Sequence, residues 1–551
     1  MILWVFLLLM ALKAEAKCEW SEDRVLCQLK ILDFRRNSSS AAMQVPEPGL
    51  SQATALKVLC SDVFFFESQL RSDHLGSLSS LDDLEISFCK LRTLPPRTFV
   101  GLSGLSRLVI HTHNQDWTSL QMQPDYESLV GLERLHSLDV QWNNLHSLPP
   151  GFFCPLKNLR HIDLSFNAVK DLNFLGIHHA PEIKEEFRCS IPAQSLALRS
   201  NGLVTVTPKA LVALAPTLKH VDLSHNNVDV LIEATFHGLT VLETIDLSFN
   251  RLAALPPKIF SATPNLRTLL LSNNTLGTID LDVFGNLTSL QTLNMSGNNL
   301  DENWIRPGIF DGLHSLIVLD LAGNHIGRLD NGLLDDLTAL QVLNLGHNKI
   351  HTIATSSFLH LTNCHVLNLQ RNQLESVQRQ TLTGLSMLSL LNLDHNKLHT
   401  LHTGALRNAT ALSSLSLSHN FLTQVPEAVH HSPSLKVLDL SSNLLGVLKR
   451  ESLQGLPKLT QLRVGDNELS RLGEGAFVEV PNLEVLDLSK NRFMSLEQET
   501  FKDLVLLKSL DLSLNQLEDV NGLFTHQTVL ETLNLTSNHI QWFDYAFIPP
   551  R

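Results

Sequence analysis

The sequence predicts an α/β solenoid, with a parallel β-sheet lining a concave face and irregular or short helical segments behind it. Three observations carry this. The frame Leu-x-x-Leu-x-Leu-x-x-Asn-x-Leu returns about every 24 residues, as in LHSLDVQWNNL (135–145), LETIDLSFNRL (242–252) and LKSLDLSLNQL (507–517). A second apolar residue, usually phenylalanine, recurs in the other half of each repeat. Leu-Pro-Pro follows the frame at Leu94, Leu148 and Leu255.

The fourth and sixth frame positions are apolar with one residue between them, which is strand periodicity. In the last full frame Leu533 and Leu535 face inward and Asn534 outward. The frame asparagines are Asn143, Asn167, Asn201, Asn226, Asn250, Asn274, Asn298, Asn324, Asn348, Asn372, Asn396, Asn420, Asn443, Asn467, Asn491, Asn515 and Asn538. Each sits where the chain leaves the strand, and its amide carries both donors and an acceptor. Stacked, they form a ladder satisfying backbone groups that one coil cannot satisfy alone. This is a leucine-rich repeat array.

Phe99, Phe153, Phe236, Phe260, Phe284, Phe310, Phe358, Phe477 and Phe501 fall at matching places and are expected to fill the core behind the strands. Proline in the Leu-Pro-Pro segments fixes an extended backbone and blocks a helix there. About 20 coils at roughly 4.8 Å spacing give an inner face on the order of 95 Å long, curved into a horseshoe or spiral by the bulkier outer side.

The leading run MILWVFLLLMAL is too short to span a bilayer as a mature helix, and Ala14-Glu15-Ala16 reads as a cleavage signal. Residues 1–16 are therefore expected to be a secretory signal peptide rather than a buried helix. Residues 17–50 are read as an amino-terminal cap region and 51–551 as the array, with an insertion near 170–190 and no carboxyl-terminal cap. The expectation is an exported chain, secreted or extracellular, with its last leucine edge uncovered.

The chain has 551 residues and a formal net charge of -13, which argues against nucleic acid as a direct partner. Asp139, Asp163, Asp222, Asp246, Asp320, Asp439, Asp487 and Asp511 share the outward place between the inward apolar residues. They read either as an acidic stripe for a basic protein ligand or as residues the turn itself favours. His225, His347, His395 and His419 precede the ladder asparagine, and read either as a column sensing acidification or as solvated turn polarity.

Seven cysteines fit an oxidising compartment. Cys18 and Cys27 are expected to pair ahead of the first repeat, with Cys27 to Cys60 as the rival. Cys154 and Cys189 flank the longest gap in the ladder and are expected to tether the insertion around 173–186. Cys89, at a ladder position, and Cys364, at an inward leucine position, are expected to be buried thiols. Sequons stand at Asn37, Asn273, Asn286, Asn294, Asn408 and Asn534. Asn294 and Asn534 lie on outward strand positions, where glycans would displace ligand contact to other coils. The amino-terminal frames are irregular, with Cys89 and His113 in place of asparagine.

No catalytic set is legible: there is no Gly-x-Ser-x-Gly, no His-Glu-x-x-His and no phosphate loop. No cofactor is expected, and adjacent His178 and His179 make a poor metal chelate. An enzyme or protease inhibitor on this scaffold ranks well below a binding protein.

The chain resembles the ectodomain of Toll family receptors, most closely the long arthropod type. The resemblance rests on the exported solenoid, the cysteine-bordered insertion and the late segment Trp542, Phe543, Asp544, Tyr545, Ala546, Ile548 and Pro549. It implies a receptor in innate immunity or developmental patterning, with ligands such as cystine-knot cytokines of the Spätzle type and signalling as a dimer. Members carry a cysteine-rich cap, a membrane helix and a cytoplasmic signalling domain. None is legible here, so the expectation is a soluble form or a partial chain. The alternative is a secreted matrix or adhesion protein of the leucine-rich type.

Overall fold

The computed structural model describes residues 17–29, 32, 52–61, 67–71, 75, 78–114, 120–177, 189–208 and 210–542. The proposed leader, Asn37, His178, His179 and the segment from Phe543 onward lie outside them. The chain divides into two compact units, Met1–Thr275 and Leu276–Arg551.

In both units each coil contributes one short strand to a parallel sheet, in strict register. Leu138 pairs with Ile162, Ile162 with Leu196, Leu196 with Val221 and Val221 with Ile245 in the first unit. Leu319, Leu343, Leu367, Leu391 and Leu415 follow one another in the second. These residues are at most 2 % exposed. A slip of one residue would turn every one of them to solvent, so burial fixes the register.

Ahead of the first coils, Lys17–Ser21 pairs antiparallel with Arg24–Leu29, which then pairs parallel with Ala55–Cys60. Cys18 and Cys27 face each other across that hairpin and are bonded at 2.05 Å.

Opposite the sheet the chain runs through turns, two-residue parallel pairs such as Ser376–Val377 with Thr400–Leu401, and 3-10 segments such as Leu172–Leu175 and Glu427–His431. The short helical segments expected there are thus of the tighter kind, which suits a coil of about 24 residues with proline at its bends. Behind the strands lie the phenylalanines of the second half-repeat, from Phe99 and Phe153 to Phe477 and Phe501, each at most 2 % exposed. Phe236 stacks on Phe260 at 5.8 Å and Phe477 on Phe501 at 6.0 Å, so neighbouring coils share an aromatic spine.

The asparagines tie coil to coil. Asn372 Nδ2 donates to the carbonyls of Leu369 in its own coil and Leu345 in the one before, and its Oδ1 accepts from the Ile350 backbone N–H. Asn250, Asn420 and Asn491 repeat the pattern. Each amide serves three buried backbone groups: it satisfies one N–H and shares two carbonyls with the ladder asparagines of the coils on either side, as Leu345 is shared with Asn348 and Leu369 with Asn396.

Two sequence expectations need correction. Cys89 is not a free thiol: it is bonded to Cys60 at 2.05 Å, which also removes the rival pairing of Cys27 with Cys60. Physically, the cysteine at the ladder position replaces a hydrogen-bonded tie to the previous coil by a covalent one. His113 does not occupy the ladder position either. One extra residue places it in the outward column described below, and Asn114 is buried directly behind it, donating to the Leu91 carbonyl at 2.9 Å. Cys154 and Cys189 are bonded around the insertion. Cys364 is a fully buried free thiol, pushed up to about 11 by desolvation.

Candidate functional site

Frame positions three, five, seven and eight are left on the surface when four and six turn inward. Position eight, just before the ladder, adopts a left-handed backbone in coil after coil: φ is 60° at Phe88 and Trp142, 54° at His113, 55° at Phe166 and His225, and 53° at His395. Side chains other than glycine visit this region at a cost. The coil must turn there to aim the next asparagine inward, so that cost comes from the fold. The choice of side chain is free.

In the first unit that choice is aromatic over four consecutive coils. Phe88 stacks on His113 at 4.4 Å, His113 on Trp142 at 5.4 Å and Trp142 on Phe166 at 4.2 Å, with interplanar angles of 6–9°. Phe88 remains 41 % exposed. Further along, His225 stacks on Phe249 at 4.1 Å, and desolvation followed by the charge of Arg199 holds His225 below its ordinary value.

Beside the column runs the acidic row. Asp139, Asp163, Asp222 and Asp246 each turn one oxygen onto the backbone N–H two residues on, at 2.8–3.2 Å. Asp320, Asp439, Asp487 and Asp511 do the same. This local bond explains why the fold favours Asp or Asn at this place, and Asn294, Asn368, Asn392 and Asn534 make it equally. The second carboxylate oxygen is left to other partners. Asp163 accepts from Gln141 there at 2.9 Å, whereas Asp139 meets His111 at 2.7 Å with the same oxygen that takes the turn N–H. Burial raises the Asp163 carboxyl, against the hydrogen bonds from Ser165 and with the like charges of Asp139 and Asp222 adding to the rise. The row is therefore both turn-forming and anionic.

Among the sequons, Asn273, Asn286 and Asn408 are exposed, whereas Asn294 and Asn534 are half-buried in the sheet face. Among the described residues no group of three or more His, Cys, Asp or Glu is placed to hold a metal, and no helix is long and apolar enough to cross a membrane. The sequence reading missed the aromatic column. Its signal was present, since Phe88, Trp142 and Phe166 each stand immediately before a ladder position.

A leucine rich repeat family model matches residues 131–182, 192–252, 240–300, 304–350, 339–398, 388–445, 433–493 and 481–540. The chain belongs to the leucine-rich repeat family. Its resemblance to a Toll receptor ectodomain of the long arthropod type holds as well. It is 51% identical over 539 residues to Toll-like receptor 7 of Drosophila melanogaster, a match covering 97% of this chain and 37% of that protein. The chain thus spans little more than a third of that relative. Human vasorin is 31% identical over 178 residues, covering 31% of this chain and 25% of vasorin. Among solved structures, Drosophila Toll in complex with Spatzle superposes with a TM-score of 0.72 at 20% identity, covering 91% of this chain and 65% of that one. That likeness is one of fold.

Proposed function

We propose that this chain is the extracellular ligand-binding region of a Toll-type receptor in innate immune or developmental signalling, and that it grips a protein ligand of the cystine-knot cytokine kind. The observation that carries the reading is the stacked column Phe88–His113–Trp142–Phe166 beside Asp139 and Asp163. Surface aromatics, Phe88 exposed and His113, Trp142 and Phe166 half-buried, next to carboxylates suit a partner offering basic and apolar side chains together, because rings supply contact area and carboxylates supply orientation. The Toll structure bound to Spatzle has a related fold, which supports a protein ligand. A leader at residues 1–16, an amino-terminal cap, and glycans at the exposed sequons Asn273, Asn286 and Asn408 belong to the same reading.

The test is titration of the purified chain against cystine-knot cytokines of the Spätzle type at low and high ionic strength. Binding should weaken with salt, and Trp142→Ala should reduce affinity at least tenfold while leaving melting nearly unchanged. Absence of binding at micromolar concentration under both conditions defeats the proposal. Retention on collagen or proteoglycan instead would move the chain to the adhesion class.

A further inference from the structure

The second unit carries a face of different character from the aromatic and acidic one. Three of its coils present three aligned rows, the apolar row running one coil further at the early end and the cationic row one coil further at the late end. Val318, Val342, Val366 and Leu390 stand in register at frame position three; Leu390 is 39 % exposed and the valines are half-buried. Next to them, position five is an amide row. Asn368 Nδ2 donates to Asn344 Oδ1 at 3.0 Å, and Asn392 Nδ2 donates to Gln370 Oε1 at 3.2 Å. Gly346 lies against this row: a Cβ there would come within 3.2 Å of Asn368 Nδ2 and 3.3 Å of Asn344 Oδ1. Glycine thus lets the amides meet without crowding.

The third row, at position eight, is cationic or able to become so: His347, Arg371, His395 and His419, with His395 and His419 stacked at 4.0 Å. Lys349 and Lys397 stand exposed two residues beyond His347 and His395. In a chain of net charge -13 such a run is an exception. The acid within it, Asp394, takes the Ser418 backbone N–H at 2.8 Å and the Ser416 hydroxyl on one and the same oxygen.

We propose that this face holds an extended acidic segment of the protein ligand, laid along the coil stack with its backbone over the amide row. Its apolar side chains rest on the valine row and its carboxylates on Arg371 and the histidines. This rests on the reading of the chain as a protein-binding ectodomain and adds the chemistry of one contact. The dimensions agree. From the coil of Val318 to that of His419 the face spans about 19 Å at roughly 4.8 Å spacing, which an extended segment covers in about six residues. Alternate side chains of such a segment point to opposite sides, toward opposite rows. The amides can pair its backbone N–H and C=O groups. A sulfated glycan or a nucleic acid would engage the cationic row and leave the valine row without a role.

The same geometry couples binding to protons. Burial holds His395 below its ordinary 6.5; the nearby His419 and Arg371 charges, and His347 more weakly, add to this, and Asp394 opposes them. A ligand carboxylate placed on the row favours the imidazolium, so binding takes up protons and tightens as pH falls.

The probe is a fluorescent peptide alternating leucine and glutamate over eight residues, titrated against the full chain. Saturable binding is expected, tightening severalfold between pH 7.5 and 5.5. Arg371→Glu should weaken it at least tenfold, as should Asn368→Asp, which places a like charge in the amide row. The triple change of His347, His395 and His419 to Gln should remove the pH dependence. These side chains are at or near the surface, so unchanged melting confirms an intact fold. A peptide with the same residues in two blocks should bind at least tenfold more weakly. Failure of the alternating peptide while a cytokine still binds overturns this inference and leaves the functional reading standing. Peptide binding without cytokine binding overturns the functional reading instead. Heparin fragments or single-stranded RNA that compete in an Arg371-dependent way, while Val342→Ser leaves peptide binding unchanged, would reassign the face to polyanions and end the proposal.

Discussion

The coils between Ala55 and Cys189 and those between Leu276 and His539 solve one problem in two ways. In the later coils Asn324 through Asn515 link each coil to the one before through an amide, and the one cysteine, Cys364, is an unbonded buried thiol. In the earlier coils that chain of amides is interrupted. Cys89 stands where an amide would, bonded to Cys60 of the previous coil, and Cys154–Cys189 brackets the insertion. Asn114, displaced by one residue, leaves its buried side-chain oxygen without a hydrogen-bond partner among the described residues. The fold requires a tie between successive coils at this place, and either three hydrogen bonds or one disulfide meets the requirement. The disulfide tolerates irregular spacing, because it needs only two sulfurs in reach. The amide needs three backbone groups correctly placed.

The largest break in this comparison is to remove the covalent tie. Cys60→Ala with Cys89→Ala frees a loop of 29 residues and should cost about 3–4 kcal/mol by the chain-entropy account, read as a lower denaturant midpoint for the first unit. Replacing Cys89 by Asn in the Cys60→Ala background should recover about 1–2 kcal/mol, since the amide can rebuild part of the ladder. If that variant is no better than the double alanine, the equivalence of disulfide and amide fails.

Somewhat smaller is the corresponding break in the regular coils. Asn372→Ala strands the Ile350 N–H in the interior and takes one of two amide donors from each of the Leu345 and Leu369 carbonyls, which keep Asn348 and Asn396. The expected loss is about 3 kcal/mol, with hydrogen exchange accelerated at Ile350 and its neighbours. A loss below about 1 kcal/mol would mean that water enters readily and that the ladder is dispensable.

The contrast also explains what the residues disclosed by themselves. Period and polarity are local, so the strands, the ladder and the buried Phe236, Phe260 and Phe477 could be read from spacing. The Cys60–Cys89 bond could not, because a cysteine at an inward position is compatible with a thiol as well as a bridge, and choosing between them needs the distance between coils. The place of His113 was hidden by one inserted residue, which shifts the frame without altering composition. The outward rows were legible as positions but not as surfaces. Stacking of Trp142 on Phe166 and pairing of Asn344 with Asn368 depend on how adjacent coils align. That alignment is a property of the sheet, not of any one repeat.

The smallest test makes one front coil resemble the back ones. In the second unit the outward place between the inward residues is Asn at 344, 368 and 392, so like charges do not face each other across those coils. In the first unit Asp163 sits beside Asp139 in register, and its carboxyl is raised by burial and then by its acidic neighbours. A carboxyl raised in the fold binds its proton more tightly there than in the unfolded chain. Its ionised form therefore subtracts from stability at neutral pH, and the penalty disappears as pH falls through the folded value toward 3.8. Asp163→Asn should then raise stability at pH 7 by up to about 1 kcal/mol, with an advantage that shrinks on acidification. The Asn oxygen can keep the Ser165 backbone bond, and Gln141 can turn its amide to accept from the new N–H. Thermal melts of both proteins at pH 7 and pH 3.5 decide it. A variant less stable at pH 7 would show that the Gln141 bond to a full charge outweighs the repulsion within the row.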